Sequence, residues 1–469
     1  MGKIPELVVL ALSLGLSSCS SPLLRTDLAS FISAGLSSNA NLAGIAFTRA
    51  ALAGSFAGAT PSYGLTGIGG PTFSFSATAV SGSQHLSYTW NGAAQTWASV
   101  SGVTFASSSL AWVAGINTLK IVVATPDRQT SKIYTFTNIA TAIAGNLSGT
   151  YVLIENIDLS GMNWTPIGST SSPFTGSLDG NGHTITINIP SAPASYQGLF
   201  GVIASSGLVN NLNVVINLTN DAGEYSGGIA GQNGGTIQNC SVSGTVSSTG
   251  RWVGGITGNN AGSISDCHST ATVTGSSYVG GIAGFNTSGT CAITRCYATG
   301  TVHGTGIDVG GILGYCAGGT FSYCYATGAV SGQSSIGGLV AEVASGSISN
   351  CYARGAVSGT GVQIGGLVGL ANTGCTITNC YASGAVTGVS SLGGLVGYNN
   401  SVINASYYDQ QTTGRSDTGK GTPYTTAQMK AQANFSAWDF GFVWAIDGTG
   451  TINSGYPYLQ CFGAGTIIP

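Results

Sequence analysis

The stretch GGLVGLANTGCTITNCYASGAVTG, residues 365–388, repeats a pattern that runs through the second half of the chain. Two upstream segments, GGLVAEVASGSISNCYARGAVSG and GGILGYCAGGTFSYCYATGAVSG, carry the same glycine pair, cysteine, alanine and valine. The second glycine of the pair recurs at spacings of 26 to 30 residues, at Gly228, Gly255, Gly281, Gly311, Gly338, Gly366 and Gly394. A fixed period in this range is the signature of a repeat architecture.

The composition of the repeat decides between helices and strands. Helical repeats need uninterrupted stretches of helix-forming residues, whereas Gly, Ser, Thr, Val and Tyr dominate here. Short runs such as GGLVG, TITNCYA and GAVTG predict three strands per coil, with glycines at the bends. We therefore predict an all-β chain whose repeats form a parallel β-solenoid of about ten coils.

One cysteine position recurs in six coils and predicts an inward-facing structural ladder: Cys240, Cys267, Cys296, Cys324, Cys351 and Cys380. Parallel in-register side chains suit disulfide geometry poorly, and a straight ladder does not converge tetrahedrally on zinc. We therefore predict a reduced core with no metal site. Cys291, Cys316, Cys375 and Cys461 lie off the ladder and are the better disulfide candidates in an oxidising compartment.

A tyrosine follows the ladder cysteine in four coils, at Tyr297, Tyr325, Tyr352 and Tyr381. These side chains are predicted to point outward and to stack along one face. Such a face would suit the rings of a glycan or a protein partner. The alternative is that cross-strand stacking only stabilises the sheet.

The N-terminus reads MGKIPELVVLALSLGLSSCSS, in which one lysine precedes a short apolar stretch. Leu16-Ser17-Ser18-Cys19 resembles the lipobox of bacterial lipoproteins, which implies a signal peptide at 1–18, acylation of Cys19 and a tether at 19–39. Several acyl chains would anchor the protein firmly to a membrane. An ordinary secretory signal with an incidental cysteine is the alternative.

Residues 40–137 do not repeat but contain alternating apolar segments, such as TFSFSATAV and TLKIVVATP, with turn residues between them. This alternation predicts a small β-sandwich. The segments Leu42 to Thr66 and Gly115 to Thr137 resemble the two ends of bacterial cadherin-like domains. Because Asp127 stands almost alone, we do not expect the calcium sites of true cadherins. The domain is predicted to be a spacer.

The repeat GGLVG followed by ITNCYASGAV resembles the GLUG repeat of bacterial surface and adhesin-like proteins. By this resemblance, residues 145–221 form N-terminal solenoid coils, 222–417 the GLUG-type repeats and 418–469 a C-terminal cap. It implies a right-handed, β-helix-like rod displayed outside the cell for adhesion or binding. The aromatic residues of the tail are interpreted as a cover over the last coil, with a ligand-binding cluster as the alternative.

Charges and catalytic motifs restrict the function. Charged residues make up 6% of the chain and the net charge is −3, so nucleic-acid binding is not expected. No histidine has H-E-x-x-H spacing. Charged residues on the repeats fall at different offsets, at Glu224, Arg251, Asp266, Arg295, Asp308, Glu342 and Arg354; Asp266 and Arg295 predict an exposed ion pair. Asp179, near His183, is the best single carboxylate, in a turn.

We therefore predict a non-enzymatic, monomeric lipoprotein of the bacterial cell envelope, at the surface of the outer membrane, that binds a glycan or a host or extracellular protein and needs no cofactor. Two alternatives remain open. One is a carbohydrate-active enzyme on the same scaffold, which would need paired carboxylates on one face. The other is a passive surface-coat protein.

Overall fold

The computed structural model describes residues 139–462, apart from 191–193, 222 and 288–290; within residues 42–137 it describes the strands and a few adjoining residues. Cys19, the predicted signal peptide and the tether lie outside the described residues. The chain divides into two compact units, one of Met1–Trp164 and Leu178–Asn188 and one of Thr165–Ser177 and Ile189–Pro469. No helix in the described part of the chain is both long and apolar enough to span a bilayer.

Alternating apolar residues of the first unit form two mainly antiparallel sheets. The five-stranded sheet contains Leu42–Thr48, Thr72–Ala79, Trp97–Ser101, Thr104–Ser107 and Leu110–Ala111. The six-stranded sheet contains Ala51–Ala53, Ser62–Thr66, His85–Trp90, Ala93–Gln95, Thr118–Ala124 and Ser131–Thr137. Phe75 and Tyr88, one from each sheet, are buried and meet edge to face, with ring centroids 5.0 Å apart. Two sheets packed through such residues form a β-sandwich; the likeness to cadherin-like domains remains a prediction.

A short helix, Ile139–Gly145, follows the sandwich. The next strands are Thr150–Val152, Ile157–Asn163, Ser177–Asp179 and Thr184–Pro190. Ile157 pairs with Ile185 in parallel register, and both side chains are buried. Parallel pairing therefore begins before the recognisable repeats.

Each turn of the second unit contributes strands to four parallel sheets, which we call A to D. Sheet A lies just before the glycine pairs: Ser226–Gly227, Val253–Gly254, Val279–Gly280, Val309–Gly310, Ile336–Gly337, Val362–Gly365 and Ser390–Gly393. Sheet B lies just after them: Phe200–Ile203, Ala230–Asn233, Thr257–Asn260, Ala283–Asn286, Leu313–Cys316, Val340–Val343, Val368–Ala371 and Val396–Asn399.

Sheet C carries the recurring isoleucine: Leu208–Asn210, Thr236–Gln238, Ser263–Ser265, Ala292–Thr294, Thr320–Ser322, Gly346–Ser349, Cys375–Thr378 and Val402–Asn404. Sheet D carries the tyrosine and the valine, often as two short strands per turn: Asn213–Asp221, Ser241–Ser248, His268–Ser269, Thr272–Gly275, Tyr297–Ala298, Val302–Gly304, Tyr325–Ala326, Val330–Gly332, Tyr352–Ala353, Val357–Gly359, Tyr381–Ala382, Val386–Thr387, Tyr407–Asp409 and Thr422–Tyr424.

The predicted all-β parallel solenoid is confirmed, with about nine turns. The prediction of three strands per turn is wrong, because the glycine pair separates sheets A and B rather than lying inside one strand. The inward residues of each turn stack on their equivalents: Ile348 pairs with Ile377, and Val357 pairs with Val386. All four are nearly inaccessible to solvent, so the solenoid has a continuous apolar core.

The glycine pairs are needed for close packing between turns. A Cβ atom on Gly311 would lie 2.1 Å from the carbonyl oxygen of Gly338 and 2.7 Å from the Cβ of Ala326. The backbone of the next turn leaves no space for any side chain. The second glycine of each pair also lies at the bend between sheets A and B, as predicted, although its φ angle is not positive.

Two other corners of each turn use non-glycine residues in the left-handed region. The first corner, at the start of sheet A, holds Tyr196, Tyr225, Trp252, Tyr278, Asp308, Ser335, Gln363 and Ser391, with φ between 51° and 66°. The second corner, just before the ladder cysteine or its equivalent, holds Asn211, Asn239, Asp266, Arg295, Tyr323, Asn350, Asn379 and Ala405. Left-handed backbone is costly for most L-residues, so each corner depends on the register imposed by neighbouring turns.

Residues 415–424 close the end of the solenoid. The Arg415 guanidinium donates to the Val386 carbonyl at 3.1 Å, and the Lys420 ammonium donates to the Leu392 and Gly397 carbonyls at 3.2 and 2.6 Å. Asp417 Oδ1 accepts from the Gly394 N–H at 3.0 Å. These charged side chains satisfy edge groups that would otherwise template pairing with another chain.

The rest of the C-terminal segment packs on the last turn at Tyr407 and also runs back along sheet D as far as Tyr297. It contains the helix Thr426–Met429, the 3₁₀ turns Gln432–Asn434, Asn453–Gly455 and Gln460–Phe462, and the strand pair Trp444–Ala445 and Tyr458–Leu459. Another short helix, Gln410–Thr413, precedes the closing residues. Phe462 contacts Tyr297, and Trp438 contacts Tyr407. We call residues 425–462 the strap.

Candidate functional site: an aromatic and acidic strip

Four aromatic residues occupy the first corner in successive turns. Ring centroids are 4.8 Å apart between Tyr196 and Tyr225, 4.6 Å between Tyr225 and Trp252, and 5.9 Å between Trp252 and Tyr278. The ring planes lie within 14° of parallel. The corner register places one ring on each turn, at about the spacing of hydrogen-bonded strands. All four side chains are half-buried.

A second aromatic column lies beside the first, on sheet B. Phe285 and Tyr315 are register partners whose rings stack with centroids 5.1 Å apart. Both rings meet Tyr278 edge to face, at 5.9 and 5.8 Å. We call the six residues of these two columns the aromatic strip: Tyr196, Tyr225, Trp252, Tyr278, Phe285 and Tyr315.

Both columns change from aromatic to acidic residues at the next turn. Asp308 follows Tyr278 at the first corner, and Glu342 is the register partner of Tyr315. Asp308 is 2% exposed, and its Oδ1 has no hydrogen-bond partner within the described protein. Glu342 is half-buried and accepts from Asn372 Nδ2 at 3.0 Å.

Burial raises the pKa of Asp308 to about 7; the nearby charge of Glu342 adds to this effect and the Ser335 hydroxyl opposes it. Burial also raises the pKa of Glu342. The pKa values of Tyr278 and Tyr315 are raised by burial and then by both carboxylates. These four groups therefore share one electrostatic environment at the end of the strip.

An ion pair lies beside the middle of the corner column. The Arg251 guanidinium sits over the Trp252 ring, 5.2 Å from its centroid, and its Nε is 3.8 Å from Glu224 Oε1. Both charged side chains are largely exposed, so their mutual attraction contributes little to stability. Partly exposed aromatic surface flanked by charged groups can hold a ligand that is both apolar and hydrogen-bonding.

The predicted binding tyrosines lie elsewhere and are covered. Tyr297, Tyr325, Tyr352 and Tyr381 stack with centroids 4.8, 4.9 and 5.0 Å apart. The prediction of an open face is wrong: Tyr297 is 9% exposed and the other three are 0% exposed. The strap covers them with Phe435, Trp438, Trp444, Tyr456 and Phe462.

The strap is also hydrogen-bonded to the ladder it covers. The Tyr381 hydroxyl donates to the Pro457 carbonyl at 2.8 Å and accepts from Asn453 Nδ2 at 2.8 Å. The Arg354 side chain donates to Asn453 Oδ1 and lies over the Tyr456 ring. Arg354 therefore holds the strap rather than lining a site.

The structure places all six ladder cysteines inside the solenoid, each at most 2% exposed and unpaired. Each thiol donates to the carbonyl two residues earlier, as Cys351 does to Ser349 at 3.1 Å. In two turns the sulfur also accepts the N–H of the preceding ladder cysteine, as Cys351 does from Cys324 at 3.4 Å. Ser406 makes the same two bonds at the end of the ladder, to Asn404 and from Cys380.

The off-ladder cysteines, which the sequence left as disulfide candidates, form no disulfides in the structure. Cys291, Cys316 and Cys375 are buried, and their thiols donate to the carbonyls of Asn260, Gly318 and Val343. Cys461 is exposed and unpaired. Burial is the main reason that the pKa of Cys316 is raised to about 12, which keeps this thiol protonated and unreactive.

Two other predicted charge features occupy local structures. Arg295 Nη2 and Asp266 Oδ2 are 2.7 Å apart, on adjacent turns of the second corner. This pairing lowers the pKa of Asp266. Asp179 Oδ1 accepts from the Asn181 N–H at 2.8 Å within a turn.

The aromatic strip was missed by the sequence analysis, although a signal exists. Tyr225, Trp252 and Tyr278 all lie three residues before the second glycine of the pair, and Asp308 continues that position. The offset marks the first corner, but only the left-handed backbone there places the rings in a stack. Asp308 occupies the first-corner position of its turn and Glu342 a position on sheet B of another turn. Because these positions lie at different offsets within the repeat, the sequence does not show that the two residues form a pair.

With this geometry described, comparison with known proteins identifies the repeat. The GLUG motif matches residues 222–247, 275–302, 332–358 and 360–387. The chain carries GLUG repeats.

A "Putative Gly-rich membrane protein" of Evansella cellulosilytica is 36% identical over 353 residues, which are 63% of this chain and 41% of that protein. Halomucin of Haloquadratum walsbyi is 34% identical over 113 residues, 21% of this chain and 1% of that protein. The chain thus spans less than half the length of both relatives.

Two solved structures show weaker likeness. A "putative immunoglobulin A1 protease" from Bacteroides ovatus has a TM-score of 0.40 at 22% identity, covering 69% of this chain and 90% of that one. A second structure, an IgA1 protease, has a TM-score of 0.40 at 15% identity, covering 71% of this chain and 26% of that one. Both names describe enzymes, which differs from the prediction of a non-enzyme. At this TM-score neither likeness bears on the activity of this chain.

Proposed function

We propose that this protein is a cell-envelope β-solenoid that binds a polysaccharide along the aromatic strip and thereby acts in adhesion. The observation that carries the proposal is the strip itself, in which half-buried aromatic rings continue over consecutive turns. Saccharides combine apolar ring faces with hydroxyl groups, and partly exposed Tyr and Trp side chains can satisfy both. A row of such rings suits an extended ligand better than a compact one.

The test is a glycan array followed by affinity measurement on the full chain. A variant with Trp252→Ala and Tyr225→Ala should lose about 5- to 150-fold in affinity, since each aromatic contact contributes about 0.5–1.5 kcal/mol. Phe442→Ala is the matched control, because this phenylalanine is 87% exposed and lies in the strap. Unchanged affinity in the double variant would place the binding surface elsewhere.

Attachment of the protein to the envelope forms a second part of the proposal. A relative named as a membrane protein supports an envelope location, and acylation of Cys19 would supply the anchor. Cys19→Ala should release the protein from the membrane fraction and abolish labelling by a fatty-acid analogue. Release without any loss of label would contradict acylation at Cys19. We expect a monomer, to be checked by sedimentation.

Two other functions give different results in the same experiments. A carbohydrate-active enzyme is favoured by one observation, the raised pKa of Asp308 beside a second carboxylate, which is equipment that glycosidases use. Release of reducing ends from a bound polysaccharide would establish that function. Binding to neither glycans nor proteins would leave a passive coat protein.

A further inference from the structure

The end of the aromatic strip combines ring surface with negative charge. We call Tyr278, Tyr315, Asp308 and Glu342 together the acidic end. We propose that the acidic end binds the ammonium group of an amino sugar, so that the polysaccharide held by the strip is a cationic one. This inference rests on the proposed function, because the strip supplies the rest of the ligand contact.

The geometry of the corner column supports a site at this point. From Tyr196 to Tyr278, each ring of the column is followed by another ring on the next turn. On the turn after Tyr278 the corner residue is Asp308, so no further ring extends the stack. The column on sheet B changes in the same way, from Tyr315 to Glu342. An aromatic surface beside carboxylates is a favourable environment for an organic cation.

The buried carboxyl supplies an independent reason. Only 2% of the Asp308 surface is exposed, and its Oδ1 has no hydrogen-bond partner within the described protein. A buried carboxylate without a positive partner is unfavourable, and the one charged group in the described part of the chain that acts on it, Glu342, has the same sign. A bound cation would relieve both the missing partner and the repulsion. Nothing comparable occurs at the second corner, where Asp266 is already paired with Arg295.

The groups that face the acidic end determine its pH dependence. The charged and titratable neighbours are Glu342 and Tyr315 on sheet B and Tyr278 and Arg251 on the preceding turns. Asp308 loses its proton near pH 7, whereas the two tyrosines keep theirs. Binding of a permanent cation should therefore strengthen by up to about 30-fold between pH 5.5 and pH 8.5, the change in the ionised fraction of a group with this pKa.

Choline and its neutral isostere 3,3-dimethylbutan-1-ol separate charge from shape. Titration calorimetry on the full chain should detect binding of choline, with an affinity that rises with pH. The neutral isostere should bind at least about ten-fold more weakly. Asp308→Asn and Glu342→Gln should each weaken choline at least about ten-fold and flatten the pH profile. Asp266→Asn, at the equivalent place on the second corner, should leave choline binding unchanged. Because Asp308→Asn removes a buried charge, that variant should remain folded, which circular dichroism checks.

Chito-oligosaccharides test the source of the ammonium group. The deacetylated hexamer should bind more tightly than the N-acetylated one, and Asp308→Asn should abolish the difference. Equal binding of the two hexamers, or equal binding of choline and its isostere, would overturn the inference. If the Trp252→Ala variant no longer binds either hexamer but still binds choline, the aromatic strip and the acidic end make separate contacts with the ligand. If no saccharide binds, the proposed function fails, while the choline arm still decides whether an ammonium site exists.

Discussion

Replacing Trp444 should open the strap without unfolding the solenoid. The Trp444 side chain is completely buried and stacks on Trp438 with ring centroids 4.3 Å apart. Its ring lies 6.2 and 6.1 Å from those of Tyr352 and Tyr381, and its indole N–H points to Asn350 Oδ1 at 3.4 Å. It is therefore the central contact between the strap and the tyrosine ladder.

The magnitude follows from this burial. Truncating a fully buried tryptophan to alanine costs about 3–5 kcal/mol, through lost transfer free energy and the cavity left behind. Even about 3 kcal/mol corresponds to a fall of about 150-fold in the protection of strap amides against hydrogen exchange. Sheets A and B are hydrogen-bonded to neighbouring turns, so their protection should not change. Exchange mass spectrometry measures both regions in one sample.

Phe442→Ala is the control, because this side chain belongs to the same segment but is 87% exposed. It should change strap protection by less than about two-fold. Three results would refute the reasoning: an equal effect of Phe442→Ala, no effect of Trp444→Ala, or a uniform loss of protection in all turns. The last result would mean that strap and solenoid unfold together.

Three further predictions concern the solenoid. Gly311→Val should destabilise it by at least about 3 kcal/mol in urea unfolding, because the backbone of the next turn occupies the space, whereas Gly448→Ala should be neutral, since no atom lies within 4 Å of its added Cβ. Cys351→Ala should lower the free energy of unfolding by about 1–3 kcal/mol, because it removes the acceptor of the Cys324 N–H. Cys351→Ser should lower it less, because Ser406 shows that a serine hydroxyl at the equivalent position makes these bonds. Equal losses in the two variants would contradict the hydrogen-bonding role. Asp308 keeps its proton to about pH 7 in the folded chain but releases it near pH 3.8 in the unfolded chain. Its contribution to the free energy of unfolding is therefore complete below about pH 4 and is lost as the pH rises to 7, by on the order of 4 kcal/mol at most. The melting temperature of Asp308→Asn should not show this decline with pH, and a decline identical to that of the parent protein would refute the assignment.

The cysteine in the stretch at 365–388 shows how far local pattern reaches. Its recurrence predicted an inward position, and the structure gives a physical reason for a thiol there. The corner residue before each ladder cysteine is left-handed, and each thiol donates to the carbonyl on the far side of that corner. In two turns, as at Cys351, the sulfur also accepts an N–H of the neighbouring turn. Serine at position 406 meets the same requirement. The inward stacking of the cysteine could be predicted from the sequence, whereas its hydrogen bonds at the corner depend on the tertiary structure.

Sequence by itself determined the period, the strand character and the residues that face inward, because each turn must place equivalent side chains on those of the next. It did not determine which outward faces stay open. The tyrosine ladder is buried by residues far away along the chain, as in the bond from Tyr381 to Pro457, 76 positions apart. Nor did offsets alone reveal that Asp308 and Glu342 meet, since two sheets and a left-handed corner bring them together. Repetition encodes contacts between adjacent turns, but the docking of a unique segment and the approach of residues from two different offsets depend on the tertiary structure.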